Sequence, residues 1–163
     1  MIKDLANQFG VSIFIETGTF KGYMLQGLMP YFARLYSVEI YEPLYAKALQ
    51  IFKKYPKVRL ILGDSAEQVP LLLKELSEPA LFWLDGHYSG EGTGTAQEHS
   101  PILAELNNIF SHRVKNHILL IDDARFFTGK DGYPTLEALE KFVKENSTYQ
   151  HFSVNDDLIL IHA

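Results

Sequence analysis

The chain has 163 residues, of which 47% are hydrophobic and 21% charged, a balance that favours one globular domain spanning 1–163 and excludes a disordered chain. The net charge of −5 and the lack of a basic stripe argue against an extended nucleic-acid surface. The absence of cysteine excludes disulfides, thiolate metal sites and cysteine nucleophiles.

The N-terminal stretch MIKDLANQFG lacks the apolar core of a signal peptide. No apolar run in the sequence approaches the roughly 18 residues that a membrane span needs. We therefore expect a cytoplasmic protein that has no membrane segment.

Five short apolar runs alternate with helical patterns along the chain and predict the strands of a parallel sheet. Strands that are apolar on both faces need helices on both sides of the sheet. The runs cover residues 12–16, 34–40, 58–63, 80–85 and 117–122. The sequence therefore predicts an α/β fold, in which a doubly wound, mostly parallel sheet lies between two helical layers.

Helix starts can be read between these strands. Asp64, with Glu67 three residues later, resembles a capping box, and Pro70 can take the first position of a second short helix. Ser100 and Pro101 look like a cap and a first-turn proline that open a helix over ILAELNNIF.

Two segments of the second half carry other signals. The tail YQHFSVNDDLILIHA predicts an antiparallel hairpin that turns at Asn155–Asp157, so that at least one of the last two strands is reversed. The stretch 88–100 is long, polar and glycine-rich, and loops of that length in compact domains tend to be functional.

Acidic residues end all five predicted parallel strands, where ligands bind in open α/β sheets. They are Glu16, Glu39, Asp64, Asp85 and the pair Asp122–Asp123. Some also have a purely structural explanation: Asp64 as a helix cap, Glu39 as a solvated strand end and Asp123 as a partner of Arg125. The coincidence of five strand ends favours a ligand site.

The turn after the first strand limits which class of ligand the site can bind. Gly18 and Gly22 let backbone approach a ligand closely, but their G-x-x-x-G spacing is not the G-x-G-x-x-G of a pyrophosphate cradle. Glu16 would repel a diphosphate and suits an ammonium or sulfonium charge. Glu39 lies 23 positions later, near the spacing at which an acid binds both ribose hydroxyls of an adenosine. Together they indicate a cationic ligand that carries adenosine.

At these residues the sequence resembles the class I S-adenosylmethionine-dependent methyltransferases, and the likeness covers nearly the whole chain. The segments FIETGTFKG, YSVEI, GDSAE and FWLDGHYSG look like four motifs of that superfamily in chain order. The longer series FWLDGHYSG, SPILAEL, ILLIDDARFF and GYPTL is similar to one bacterial group of methyltransferase-like proteins. The resemblance implies a Rossmann-like fold with S-adenosylmethionine as cofactor.

The resemblance also implies roles for individual residues. Glu16, Gly18 and Thr19, in the turn that ends at Gly22, would contact the methionine part of the cofactor. Glu39 would bind the ribose, and Asp64 with Ser65 the adenine. Asp85 would lie where donor and acceptor meet.

A metal site is a further expectation. Asp85, Asp122 and Asp123 end neighbouring strands, and converging carboxylates suit Mg²⁺. Similar acids occur in metal-dependent O-methyltransferases, where the cation acidifies the acceptor hydroxyl. Without a metal, His87 is the candidate general base because its pKa ordinarily lies near neutrality, although it can equally be a loop histidine bonded to a carboxylate.

The leading hypothesis is methyl transfer to an oxygen, less favourably a nitrogen, of a small or sugar-like acceptor. Two alternatives remain open: a module that binds adenosine without catalysis, and a carboxylate-metal hydrolase. Few residues precede the first strand, so something other than N-terminal helices must cover the site. The candidates are the 88–100 loop, the 125–133 segment and a second subunit in a homodimer.

Overall fold

The computed structural model describes residues 1–85 and 101–163, and it confirms the predicted fold class. Seven strands form one mixed sheet in the order β3-β2-β1-β4-β5-β7-β6. The strands are β1 (Ile13–Thr17), β2 (Arg34–Glu39), β3 (Val58–Leu62), β4 (Leu81–Leu84), β5 (Ile118–Ile121), β6 (His151–Asn155) and β7 (Leu158–His162). The first five are parallel, and β7 runs antiparallel to both neighbours, as the predicted hairpin requires.

The described residues form six α-helices and one 3₁₀ turn. The helices are α1 (Ile2–Phe9), α2 (Tyr23–Leu28), α3 (Glu42–Phe52), α4 (Ser65–Glu75), α5 (Ile102–Ser111) and α6 (Leu136–Asn146), and the 3₁₀ turn covers Ala124–Phe126. In this part of the chain, no helix combines the length and the apolar character needed to cross a bilayer.

The central strands β1, β2, β4 and β5 are buried on both faces, which is why they read as nearly continuous apolar runs. Along β1, Ile13 and Ile15 join the core beneath α4, α5 and α6, whereas Phe14 joins the core beneath α1, α2 and α3. By the same alternation, Glu16 points to the second face and Thr17 to the first. Helix α1 covers part of the second face, with Ala6 in its core.

The predicted second helix at Pro70 is wrong, because Pro70 lies inside the single helix α4. A proline there cannot donate to the carbonyl of Ala66, four residues earlier. That carbonyl instead accepts a hydrogen bond from Nδ2 of Asn108 on α5, at 3.4 Å. Pro101 takes the N-cap position of α5 rather than its first turn, and Ser100 lies outside the described residues.

A buried histidine pair joins β5 to the end of α5. His117 is fully buried, and its Nδ1 accepts a hydrogen bond from the backbone N–H of Ala80 at 3.1 Å. Its neutral ring therefore carries the proton on Nε2, which lies 3.0 Å from Nδ1 of His112. Burial, with a smaller contribution from His112, lowers the pKa of His117 to about 4.

This histidine should make the protein acid-labile. An unfolded histidine titrates near its ordinary pKa of 6.5, so the unfolded chain binds more protons than the folded one between pH 6.5 and about 4. Stability from this group is complete above pH 6.5 and is lost as the pH falls to 4, on the order of 3 kcal/mol. The measurement is urea unfolding of the wild type and of His117→Asn, in which the amide oxygen can replace Nδ1 as acceptor. The difference between their free energies of unfolding at each pH gives the contribution of His117. An equal pH slope in both proteins would contradict the assignment; His151→Gln, at an exposed histidine, is the control.

Candidate functional site

The acids at the carboxyl ends of β1, β4 and β5 lie side by side in the sheet. The backbone N–H of Asp85 donates to the carbonyl of Thr17 at 3.2 Å, and that of Asp122 donates to the carbonyl of Leu84 at 3.2 Å. Asp85 therefore stands opposite the turn that leaves β1, with Asp122 one strand further along. This places the residues predicted for cofactor and acceptor at one edge of the sheet.

The turn after β1 is a tight left-handed segment. Gly18 (φ 86°) donates its N–H to the carbonyl of Val38 at 2.9 Å, and Gly22 (φ 72°) donates to the carbonyl of Thr19 at 2.8 Å before α2 begins. A Cβ on Gly22 would lie 2.7 Å from Cε2 of Phe52, whose ring is buried. Glycine at position 22 is therefore required both by the backbone angle and by the space against α3.

Glu39, the last residue of β2, stabilises this turn through hydrogen bonds to its backbone. One carboxylate oxygen, Oε2, accepts the N–H of Phe20 at 2.8 Å, and the other, Oε1, accepts the N–H of Tyr41 at 2.9 Å. The side chain is buried, so Glu39 is more than a solvated strand end. A carboxylate offers about four acceptor positions, which leaves two for the hydroxyls of a ribose.

Glu16, near the end of β1, is linked through the hydroxyl group of Ser37 to the hydroxyl group of Thr19 in the turn. It is 1% exposed and accepts a hydrogen bond from Oγ of Ser37 at 2.7 Å, and that Oγ lies 2.5 Å from Oγ1 of Thr19. The pKa of Glu16 is raised to about 8, mainly by burial; the hydrogen bond from Ser37 opposes this shift, and the charges of Asp85 and Glu39 contribute to it. Glu16 is therefore a carboxyl group whose charge responds to its surroundings near neutral pH.

The predicted adenine-side residues follow β3. Asp64 is the N-cap of α4, and its Oδ1 accepts the N–H of Ala66 at 2.9 Å, so its structural explanation as a cap is confirmed. The N–H of Gly63 bonds to the carbonyl of Glu39 at 2.9 Å, which keeps this loop beside the end of β2. Ser65 is buried at the start of the helix.

Sequence reasoning missed a second buried acid, Glu105 on α5, which is 1% exposed. Burial raises its pKa to about 7, and the nearby hydroxyl groups of Ser65 and Thr17 act in the opposite direction. The missed signal was its spacing. Ile102, Glu105, Leu106 and Ile109 fall on one helical stripe, and all four are buried.

The predicted metal ligands are only partly brought together. Asp123 (φ 58°) donates its N–H to Oδ1 of Asp122 at 2.9 Å and accepts from Arg125 at 2.6 Å, which confirms its structural explanation. Within 1–85 and 101–163, no three histidine or acidic side chains are arranged to hold a metal ion. His87 and the predicted 88–100 loop lie outside the described residues. The magnesium site and the catalytic roles of Asp85 and His87 stay predictions.

Comparison with known proteins gives matches only at the level of structure: no protein-family model matches the chain, and no curated protein matches its sequence. A methyltransferase of Podospora anserina bound to S-adenosylhomocysteine matches with a TM-score of 0.67 at 20% identity, over 99% of this chain and 75% of that one. The O-methyltransferase TomG of Streptomyces achromogenes, in complex with S-adenosylmethionine, gives 0.72 at 15% over 99% and 77%. The N-methyltransferase NodS of Bradyrhizobium japonicum gives 0.61 at 14% over 98% and 92%.

The chain has the class I methyltransferase fold. The match covers nearly all of the chain and confirms the predicted resemblance in architecture. Because the methyltransferase fold is matched here by both an O-methyltransferase and an N-methyltransferase, the fold alone does not specify the acceptor atom. Residue roles in this methyltransferase fold therefore rest on the geometry of the chain itself.

Proposed function

We propose that the protein binds S-adenosylmethionine at the carboxyl ends of β1–β4 and transfers its methyl group to an oxygen of a small-molecule or sugar-like acceptor. The carboxylate of Glu39 carries this proposal. It is buried, it braces the first turn through the N–H of Phe20, and it retains acceptor positions for ribose hydroxyls. In the methyltransferase fold, Glu39 lies at the carboxyl end of β2, at the edge of the sheet where ligands bind in open α/β folds.

The other residues of the site suit the remaining parts of this cofactor. Glu16 and Thr19, linked through Ser37, would hold the cationic methionine end beside the backbone of Gly18. Asp64 and Ser65 would bind the adenine. When bound, S-adenosylmethionine supplies a methyl group that is activated for attack by a nucleophile. Asp85, opposite the turn, would orient the acceptor and accept its proton.

Support for an oxygen acceptor comes from the acids Asp85 and Asp122, which follow β4 and β5. Carboxylates can orient a hydroxyl group and take up its proton as the oxygen attacks. Whether Mg²⁺ affects cofactor binding is measured in the titration described below. We also propose that the protein forms a homodimer, which sedimentation of the purified protein tests.

Replacing Glu39 with alanine should weaken binding of S-adenosylhomocysteine by about 10- to 150-fold, or about 1.5–3 kcal/mol, because a charged acceptor is lost. Calorimetric titration with and without Mg²⁺ measures this. Glu42→Ala is the matched control, since it removes the same charge from an exposed position three residues later.

The outcomes separate the hypotheses. Wild-type protein that does not bind would refute the proposed function, and equal affinity in Glu39→Ala would refute the role of this residue. If binding is confirmed, hydroxyl compounds are screened as acceptors with Asp85→Asn as the inactive control. Binding without methylation of any acceptor would favour a non-catalytic module.

A further inference from the structure

Ser37 is a polar residue at an unusual position in the fold. It lies within β2, is fully buried, and stands directly opposite Glu16 in the parallel register of β1 and β2. A strand that is covered by helices on both faces ordinarily carries apolar side chains at such positions. The hydroxyl group of Ser37 therefore calls for an explanation in terms of the groups that it contacts.

The two contacts of Ser37 form one chain of hydrogen bonds that leads from the core to the turn after β1. Its hydroxyl group donates to Oε1 of Glu16 at 2.7 Å, and its Oγ lies 2.5 Å from Oγ1 of Thr19. A hydroxyl group has one proton, so Ser37, which donates to Glu16, has only its oxygen left for Thr19. The hydroxyl group of Thr19 must therefore donate to Ser37.

This direction decides what Thr19 can offer to a ligand. Its one proton is used in the bond to Ser37, and its side chain makes no other hydrogen bond in the part of the chain that the structure describes. The oxygen keeps a free lone pair, so it can accept a further hydrogen bond but cannot donate one. An ammonium group only donates and a carboxylate only accepts, so Thr19 in this state suits the ammonium group.

We propose that Ser37 is a positioning residue that sets the direction of this chain and thereby makes Thr19 an acceptor for the amino group of the cofactor. The role rests on the proposed function. Thr19 directly precedes Phe20, whose N–H is bonded to Glu39, so its hydroxyl group belongs to the same turn as the proposed ribose contact. A bound ammonium group favours the ionised form of Glu16, in which the carboxylate has no proton to donate and the direction of the chain is fixed.

Three ligands separate the amino group from the rest of the cofactor. S-adenosylhomocysteine has an amino and a carboxylate group, its decarboxylated analogue has only the amino group, and 5′-methylthioadenosine has neither. Calorimetric titration with each ligand measures its affinity for the wild type, Ser37→Ala, Thr19→Val and the double variant. Leu35→Val is the matched control, because it disturbs a buried side chain on the same face of β2 without removing a polar group.

We expect Ser37→Ala to lower the affinity for both amino ligands about 10-fold and to leave that for 5′-methylthioadenosine within about 3-fold of wild type. Thr19→Val, which removes the other end of the chain, should show the same ligand pattern. The double variant should bind the amino ligands only about as weakly as Thr19→Val, since Ser37 acts through Thr19. Leu35→Val should lower the melting temperature and leave the affinities for all three ligands within about 3-fold of wild type.

The results that would refute the role of Ser37 differ from those that would refute the function. Wild-type protein that binds neither S-adenosylhomocysteine nor 5′-methylthioadenosine would refute the proposed function and this role with it. Wild-type protein that binds 5′-methylthioadenosine at least as tightly as the amino ligands would refute the role alone, because the amino group would then not be recognised. An equal loss for all three ligands in Ser37→Ala, or no loss for any, would also refute it. Additive losses in the double variant would do the same, because Ser37 and Thr19 would then act independently.

Discussion

Gly22→Ala should lower the free energy of unfolding by about 2–5 kcal/mol and abolish binding of S-adenosylhomocysteine at accessible concentrations. Residue 22 has a φ of 72°, a left-handed conformation that costs an L-residue about 1–2 kcal/mol. The new methyl group would also lie 2.7 Å from the ring of Phe52, which is 2% exposed and enclosed by the core. The second effect adds overpacking, at about 1–3 kcal/mol.

The chain offers a control that isolates the clash. Gly10, at the end of α1, has a φ of 65°, and a Cβ there would meet no atom within 4 Å. Gly10→Ala should therefore show only the backbone cost, about 1–2 kcal/mol, and unchanged ligand binding. Denaturant unfolding of both variants measures the difference, and equal destabilisation would show that Phe52 moves aside without cost.

The sheet was predictable because its physical requirement is local. A strand covered by helices on both faces reads as a nearly continuous apolar run, and all five residues of β1 are buried, with polar residues only at its last two positions. Each predicted parallel strand ends within one residue of its observed bound. The helix containing Pro70 was misread because the carbonyl that this proline leaves free is bonded by Asn108, about forty residues away.

The sequence predicted the acids of the candidate site but not the residues that they contact. Parallel strands present their carboxyl ends at one edge, so Glu16, Glu39 and Asp85 could be grouped from the sequence alone. Their partners could not, because Ser37 lies in the middle of β2 and its contact with Glu16 depends on strand register. The helical spacing places Glu105 on the buried stripe of α5, but the groups that surround its carboxyl group depend on how α5 packs against the sheet.

Glu16→Gln should abolish the largest pH dependence of stability that we expect near neutral pH. The pKa of Glu16 is raised from 4.5 to about 8 by burial, with Asp85 and Glu39 adding to it and Ser37 opposing. The folded state therefore binds more protons than the unfolded state between these values. Stability from this group is complete below pH 4.5 and is lost as the pH rises to 8, at about 1.4 kcal/mol per pH unit. Glutamine stays neutral and should retain it.

Urea unfolding at pH 6, 7, 8 and 9 measures the wild type against Glu16→Gln, with Glu42→Gln as an exposed control. Between pH 6 and 8, we expect the free energy of unfolding of Glu16→Gln to rise by about 2 kcal/mol relative to that of the wild type, with little further change above pH 8. Glu105 titrates in the same direction, but it is present in both proteins and cancels in the difference. A constant difference across this range would show that Glu16 is already ionised in the fold.

The same variant tests whether Glu16 faces the cationic end of the cofactor. A positive charge bound beside a carboxyl group favours its ionised form, so binding at pH 7 should release a proton from Glu16. Calorimetric titration with S-adenosylmethionine in two buffers of different ionisation enthalpy counts that proton. We expect release by the wild type and none by Glu16→Gln. Tight binding without proton release in the wild type would confine Glu16 to its bond with Ser37 and leave Glu39 as the acid that recognises the ligand.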